Sequence, residues 1–176
     1  MKGLLVAVLL MINLTAIAQK TYTVVQDAQL KQPIYNGLVT FEDLNKEPAF
    51  DWLKKGEKDY TPDSKTIAYL HTMLPQYTMV VFLGTWCGDS HNLIPKFWKV
   101  MSLAAYPEKN VTLYCVDMEK KTTGGQQKQY NIQYVPTFIL YKNGKEAGRL
   151  VESTHTSVEA ELAAIIEKDS GKPMAH

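Results

Sequence analysis

Four stretches of strand length lie between residues 78 and 153, and the first three are mostly apolar. Three of them are the runs TMVVFLG at 78–84, VTLYCVDME at 111–119 and PTFILY at 136–141. A mostly apolar run of this length predicts a buried strand. The tetrad Lys142-Asn143-Gly144-Lys145 predicts a hairpin turn, after which EAGRLVES at 146–153 forms the fourth strand.

Helical spacing of apolar residues separates these strands. The pattern predicts helices over 63–74, 89–101 and 157–168, and a short polar helix over 120–130. Pro95 lies inside the second helix and is expected to kink it. The resulting order of strand, helix, strand, helix, hairpin and helix is typical of an α/β sandwich. Its strand–helix–strand crossover implies a parallel pair with a right-handed connection.

Residues 19–60 carry a different pattern. TYTVVQDA at 21–28 predicts a short strand, and QPIYNG at 32–37 predicts a turn. Thr40 predicts a helix start, and Pro48 breaks or restarts that helix. The aromatic residues here are expected to pack on the main domain. We therefore expect an N-terminal helical extension over residues 19–60, packed on an α/β domain over 61–170, and a loose tail over 171–176.

The first 18 residues have the layout of a secretory signal peptide. Lys2 precedes an apolar run from Leu4 to Ile12, and Ala16-Ile17-Ala18 supplies small residues for cleavage after Ala18. A membrane anchor is the alternative, but a spanning helix needs about 20 apolar residues, and Asn13 and Thr15 interrupt this run. The pattern predicts an exported protein, periplasmic or secreted, with no stable membrane insertion after cleavage.

Charge and cysteine content narrow the classes of partner. The chain carries 19 basic and 18 acidic residues, and cleavage of the segment with Lys2 would leave equal numbers. This balance argues against nucleic acid as the main partner. Two cysteines, Cys87 and Cys115, are too few for a disulfide scaffold. A structural zinc site needs four ligands, and no cysteine or histidine lies near Cys115 in the sequence. We expect a monomer with no metal and no cofactor.

Cys87 stands where the strand at 78–84 ends and the helix at 89–101 begins. Sites in α/β sheets form at the carboxyl ends of strands. The N–H groups of a helix N-terminus favour the thiolate, which is the reactive form of cysteine. The position therefore predicts a reactive thiol, and the alternative is a buried, inert cysteine.

Neighbours of Cys87 bear on this reactivity. Gly88 allows close approach of another backbone, and Ser90 is expected to donate a hydrogen bond to the sulfur. His91 supports the thiolate when protonated, whereas the carboxylate of Asp89 opposes it. Trp86 either packs or offers an apolar docking face beside the sulfur.

Three segments closely resemble the thioredoxin-fold proteins: MVVFLGTWCGDS, VDME and YVPTFILYKNGKEAGRLVE. The resemblance runs over residues 79–167 and looks closest to exported bacterial thioredoxin-like proteins with the motif Trp-Cys-Gly-Asp-Ser. It implies a thioredoxin-like three-layer sandwich, in which helices flank a central mixed sheet. It also implies a thiol–disulfide oxidoreductase whose partners are protein or small-molecule thiols and disulfides.

The resemblance implies roles residue by residue. Trp86 and Cys87 match the tryptophan and attacking cysteine of the family motif. Asp117 matches an acidic residue that supports the tryptophan. Val135, Pro136 and Thr137 match a loop that holds a cis proline beside the active cysteine and pairs with bound peptide through its backbone.

Four positions depart from the family pattern. Ser90 replaces the second, resolving cysteine. Val81 and Leu113 replace a buried aspartate and lysine that serve the second thiol. Glu152 replaces a glycine of the substrate groove, so the groove is expected to be altered.

A motif with one cysteine leaves three hypotheses. The first, which we favour, is a monothiol exchanger or isomerase that acts through Cys87 with an external resolving thiol. The second is a peptide- or client-binding module with little or no redox catalysis. The third uses Cys115 as the resolving thiol, although we expect that residue to be a small buried apolar side chain in a central strand.

Overall fold

The computed structural model describes residues 21–174. These residues contain a six-stranded mixed sheet with helices packed on it. The predicted signal peptide lies outside the described residues. The strand order is β1-β2-β4-β3-β5-β6. The strands are β1 (Tyr22–Asp27), β2 (Gln32–Val39), β3 (Thr78–Leu83), β4 (Val111–Cys115), β5 (Thr137–Lys142) and β6 (Lys145–Val151). The helices are α1 (Phe41–Asn45), α2 (Asp51–Asp59), α3 (Ser64–Met73), α4 (Gly88–Leu103), α5 (Gln126–Gln129) and α6 (Val158–Ser170).

The centre of the sheet confirms the predicted sandwich. β3 and β4 pair in parallel across α4, with Val81 opposite Leu113. β5 is antiparallel to β3, and β6 is antiparallel to β5. Three of the predicted helix starts also agree, because the side chains of Thr40, Asp63 and Ser157 cap α1, α3 and α6.

Alternation of side chains along β3 divides the apolar interior into two cores. Val81 and Leu83 face a large core, to which α1, α2, α3, α4 and α6 contribute. Val80 and Phe82 face a small core on the other side of the sheet. The small core consists of Val80, Phe82, Cys87, Val116, Ile132, Val135 and Ile139. We use the names large core and small core below.

The N-terminal segment is not entirely helical, as the sequence predicted. A β-hairpin of β1 and β2 precedes its helices. The turn predicted over residues 32–37 is wrong: these residues are the first six of β2. β2 pairs antiparallel with β1 on one side and with β4 on the other, where Leu38 lies opposite Tyr114. The edge of β4 offers backbone groups that need partners, and this long-range pairing overrides the local preference of Pro33, Asn36 and Gly37 for a turn.

The polar helix predicted over 120–130 is also shorter than expected. Only Gln126–Gln129 is helical, and it begins after Gly125, whose φ of +74° lies in the left-handed region. The residues before it form a loop that Asp117 holds through the N–H groups of Glu119 and Lys121, at 3.0 and 2.8 Å.

Helix α2 packs closely on α4. A Cβ added at Gly56 would lie 2.5 Å from Cγ of Pro95, inside α4. This contact brings the N-terminal segment against the helix that carries the motif. At the other end, the Tyr69 hydroxyl donates to the carbonyl of Lys172 at 2.7 Å, within the predicted tail. None of the helices between residues 21 and 174 has the length and apolar character needed to cross a bilayer.

Candidate active site

Cys87 occupies the N-cap of α4, immediately after the loop that leaves β3. Its carbonyl accepts the N–H of His91 at 3.0 Å, which begins the helix. The side chain is 8% exposed and belongs to the small core. Its thiol donates to the carbonyl oxygen of Val135 at an Sγ···O distance of 3.3 Å. The structure therefore brings Cys87 together with the loop 135–137 that the resemblance singled out.

The loop 135–137 contains a cis peptide bond between Val135 and Pro136. The Pro136 carbonyl accepts the N–H of Glu152 at 2.8 Å, and the Thr137 hydroxyl donates to the Tyr134 carbonyl at 2.7 Å. The first bond ties the loop to the end of β6, and the second lies within the segment that contains the loop. Glu152 itself has φ of +62°, in the left-handed region that favours glycine.

Ser90 is fully buried and does not make the predicted bond to the sulfur. Its Oγ accepts the backbone N–H of Gly84 at 3.1 Å. That N–H belongs to the residue just after β3, and a buried donor without a partner would cost about 1–3 kcal/mol. Ser90 therefore secures the end of the strand.

His91 also lacks the expected contact with the Cys87 sulfur. Its Nε2 lies 2.7 Å from the Thr85 carbonyl oxygen. Because a carbonyl oxygen only accepts hydrogen bonds, Nε2 carries a proton and donates. The imidazole also stacks on the indole of Trp52 in α2, with centroids 4.3 Å apart and planes 21° apart. The ring is thus held by Thr85 and Trp52, not by the thiol.

Trp86 is half-buried and packs against the small core. Its Nε1 donates to the Val116 carbonyl oxygen at 3.0 Å. The Asp117 carboxylate, to which the resemblance assigned the support of Trp86, accepts backbone N–H groups of its own loop. A main-chain oxygen next to Asp117 replaces its side chain as the partner of the indole.

The solvent side of the motif consists of Gly88 and Asp89. Asp89 is exposed, and a Cβ added at Gly88 would meet no atom of the described residues within 4 Å. The approach to the head of α4 is therefore open beside the cysteine. The Asp89 carboxylate lies in the first turn of α4, where the helix dipole stabilises it.

Cys115 lies in a different environment. It is 0% exposed and belongs to the large core, whereas Cys87 belongs to the small core on the other face of the sheet. Burial raises the pKa of the Cys115 thiol above its ordinary value, because the thiolate would be desolvated. Both cysteines are free. This supports the expectation that Cys115 is an apolar core residue.

Sequence reasoning missed Thr85. Its side chain is 0% exposed, and its hydroxyl donates to the Pro33 carbonyl at 3.1 Å while accepting the Tyr35 N–H at 3.2 Å. Both partners belong to β2, about fifty residues earlier in the chain. The one available signal was a hydroxyl residue between the apolar strand and Trp86.

Comparison with known proteins identifies a family and several relatives of this chain. The thioredoxin family model matches residues 67–168. Thioredoxin-1 of Saccharomyces cerevisiae is 28% identical over 102 residues, which cover 57% of this chain and 93% of the yeast protein. Protein disulfide isomerase-like 1-1 of Arabidopsis thaliana is 29% identical over 100 residues, 56% of this chain and 19% of that protein. The crystal structure of thioredoxin O2 from Arabidopsis thaliana in the oxidised state is 21% identical, covers 59% of this chain and 89% of that chain, and has a TM-score of 0.37.

The extent of these matches differs among the relatives. The chain spans 19% of the length of the plant isomerase-like protein and 48% of thioredoxin-2 of Pyricularia oryzae. The family model, in contrast, covers more than half of this chain and includes β3, Cys87 and the loop 135–137. The chain therefore belongs to the thioredoxin family.

Proposed function

We propose that this protein is a monothiol thiol–disulfide oxidoreductase that exchanges or isomerises disulfides through Cys87. The proposal rests on one observation: the Cys87 thiol lies at the head of α4, 3.3 Å from the Val135 carbonyl oxygen of the cis-proline loop. The buried hydroxyl of Ser90 supports the monothiol mechanism, because it stands where a second thiol would resolve the intermediate.

The reaction proceeds in two exchanges. The Cys87 thiolate attacks one sulfur of a client disulfide, so that a Cys87–client S–S bond forms, the client S–S bond breaks, and the released thiolate takes up a proton. An external thiolate then attacks the client sulfur of this mixed disulfide. A new client S–S bond forms and Cys87 leaves as the thiolate. The external group is a small-molecule thiol for exchange, or a second thiol of the client for isomerisation.

Val135 connects client binding to the thiol. Its carbonyl oxygen accepts a hydrogen bond from the thiol, and we propose that the same oxygen accepts a backbone N–H of an extended client segment. A client that hydrogen-bonds to Val135 would displace the thiol from this carbonyl. The helix N-terminus would then be the nearest source of stabilisation for the thiolate. In this proposal, docking and activation use the same atom.

The compartment forms part of the proposal. An exported protein, periplasmic or secreted, would meet clients that carry disulfides, since these persist in oxidising surroundings. We propose that the protein acts there as a monomer, without cofactor or metal. Cell fractionation of the full-length protein, with mass spectrometry of its mature N-terminus, tests the predicted cleavage after Ala18; recovery of the uncleaved chain in the cytoplasm would contradict it.

The first test measures the pH dependence of Cys87 alkylation in a Cys115→Ala background. If the thiolate is stabilised, the alkylation rate should reach half its maximum at a pH well below about 8.5, the pKa of a free cysteine. The same protein should catalyse glutathione-dependent reduction of a glutathionylated peptide. Cys87→Ser should lose this activity and keep its thermal stability. Activity retained in Cys87→Ser would refute the assignment.

A client-binding module is the second candidate. Exposed apolar side chains flank the loop 135–137: Tyr134 precedes it and is 49% exposed, and Val151, opposite Thr137, is 38% exposed. Such side chains suit docking of an extended apolar segment. Binding of an unfolded, cysteine-free peptide by Cys87→Ser, together with a slow and unactivated Cys87 in the parent, would favour this candidate.

A further inference from the structure

We propose that the N-terminal segment, residues 32–59, is a positioning element for the active-site loop 84–87, acting through Thr85, His91 and Trp52. This segment precedes the part of the chain that the family model matches, which begins at residue 67. The inference rests on the proposed function in one respect: the loop in question carries Cys87.

The first connection runs from β2 to the side chain of Thr85. The Thr85 hydroxyl donates to the Pro33 carbonyl at 3.1 Å and accepts the Tyr35 N–H at 3.2 Å. Both bonds are buried, so water does not replace them at low cost. Thr85 therefore joins the active-site loop to β2, because its hydroxyl bonds backbone groups of that strand.

The second connection runs from α2 to the main chain of Thr85. The Thr85 carbonyl accepts the Nε2–H of His91 at 2.7 Å. The imidazole of His91 also stacks on the indole of Trp52, with ring centroids 4.3 Å apart. The indole Nε1 of Trp52 is buried and has no hydrogen-bond partner among the described residues. Stacking on His91 and packing against the large core, rather than a hydrogen bond of its own, therefore hold Trp52 in place.

These two connections fix the loop from both sides. Cys87 closes the loop with its own N–H, which donates to the Gly84 carbonyl at 3.0 Å. A shift of Thr85 would thus displace Cys87 relative to the helix N-terminus and to Val135. Displacements of about 1 Å can lower catalytic rates about a hundredfold. Thr85, His91 and Trp52 are positioning residues, because their contacts reach the reacting sulfur only through the loop.

The main test compares Thr85→Val with Thr85→Ser, both in the Cys115→Ala background of the full chain. Valine keeps the branched shape and removes both hydrogen bonds to β2, whereas serine keeps the hydroxyl. We expect Thr85→Val to lower kcat for glutathione-dependent reduction of a glutathionylated peptide by roughly tenfold, with KM little changed. We also expect it to move the half-maximal pH of Cys87 alkylation away from the parental value. Thr85→Ser should restore both quantities.

A second pair keeps the inference testable if Thr85→Val does not fold. Trp52→Phe keeps an aromatic ring against His91 and removes a buried donor without a partner, so it should behave like the parent. Trp52→Ala removes the stacking and should shift kcat and the alkylation midpoint in the same direction as Thr85→Val. Circular dichroism before each assay establishes that only folded protein is compared.

Two results would overturn the inference. Folded Thr85→Val or Trp52→Ala with the parental alkylation midpoint and kcat, but a lower Tm, would mean that these residues serve stability alone. A shift that is equally large in Thr85→Ser and Trp52→Phe would mean that the hydrogen bonds and the stacking are not its cause. Failure of the proposed function is distinguishable, because the parent would then lack exchange activity while the alkylation midpoint still reports on the loop.

Discussion

At the scale of single residues, Ser90 is the residue on which the proposed monothiol mechanism depends. It is buried, and its oxygen accepts a bond from Gly84 N–H. A cysteine at this position would lie in the first turn of α4, on the residue three after Cys87. Helix α4 and the loop 135–137 would both lie beside such a cysteine.

Replacement Ser90→Cys is expected to add disulfide reductase activity. The second thiol would attack the Cys87–client bond within the molecule, so the reaction would no longer depend on an external thiol to release the client. Insulin reduction with and without added glutathione measures this. Ser90→Ala is the control, since it removes the hydroxyl and adds no thiol. Equal activity of the cysteine and alanine variants would mean that the groove limits the reaction.

Glu152 is the second informative residue, because its backbone lies in a region that L-residues avoid. At φ of +62°, a residue with a Cβ loses about 1–2 kcal/mol, and the greater unfolded-state freedom of glycine returns about 0.5–1 kcal/mol of this. Glu152→Gly should therefore raise the free energy of unfolding by up to ~1.5 kcal/mol. Urea denaturation measures the change.

The control for this prediction is Glu152→Ala, which removes the carboxylate and retains the backbone strain. Alanine should leave the free energy of unfolding close to that of the parent. An equal gain in both variants would attribute the effect to the charge, and the strain argument would be wrong.

At the scale of elements, the start of α3 shows how a local cap responds to pH. The Asp63 carboxylate accepts the backbone N–H of Thr66 at 2.8 Å and its hydroxyl at 2.7 Å. The bond from the backbone N–H is the main reason that the pKa of Asp63 lies below its ordinary value, and the bond from the hydroxyl adds to it. The folded state therefore favours the ionised form.

The sign of the pH dependence follows from this direction. Because the folded pKa is lowered, the stabilisation is complete above the ordinary aspartate pKa of about 3.9. It is lost as the pH falls through the lower, folded value. An asparagine side chain would keep an acceptor for the cap and would not titrate. Asp63→Asn should thus lose less stability than the parent between about pH 5 and pH 2, measured by urea denaturation at each pH. Identical acid profiles would contradict this assignment.

At the scale of the whole molecule, the N-terminal segment shares one interior with residues 67–168, which the family model matches. Side chains of α1 and α2 belong to the same large core as those of α3, α4 and α6. β2 also completes the hydrogen bonding of β4. We therefore expect the two parts to unfold in one transition, with far-ultraviolet circular dichroism and tryptophan fluorescence changing together.

Gly56→Ala tests the contact between the two parts. The added methyl group would lie 2.5 Å from Pro95 Cγ, and overpacking of this kind costs about 1–3 kcal/mol. The helical preference of alanine over glycine returns about 1 kcal/mol. A net loss of up to ~2 kcal/mol is expected in urea denaturation, with the transition still single. Gly88→Ala is the matched control, because a methyl group there meets no described atom. Equal stabilities of the two variants would exclude tight packing between α2 and α4.

Much of the fold could be predicted because its signals are local. The caps Thr40, Asp63 and Ser157 lie three residues from the N–H groups they accept, so residue type and spacing suffice. The buried strands β3 and β5 are identified by their apolar runs, and the position of Cys87 follows from the strand before it and the helix after it. These features depend on interactions within a few residues.

The parts that could not be predicted depend on partners distant in the chain. The sequence of β2 predicts a turn, and its strand conformation depends on pairing with β4, about eighty residues later. Ser90 and His91 are close to the sulfur in sequence, yet their hydrogen bonds go to Gly84 and to the Thr85 carbonyl. Local composition indicates which groups need a partner. Only the packed chain selects that partner among the donors and acceptors that burial brings within reach, because each buried polar group must be satisfied by whatever the fold places beside it.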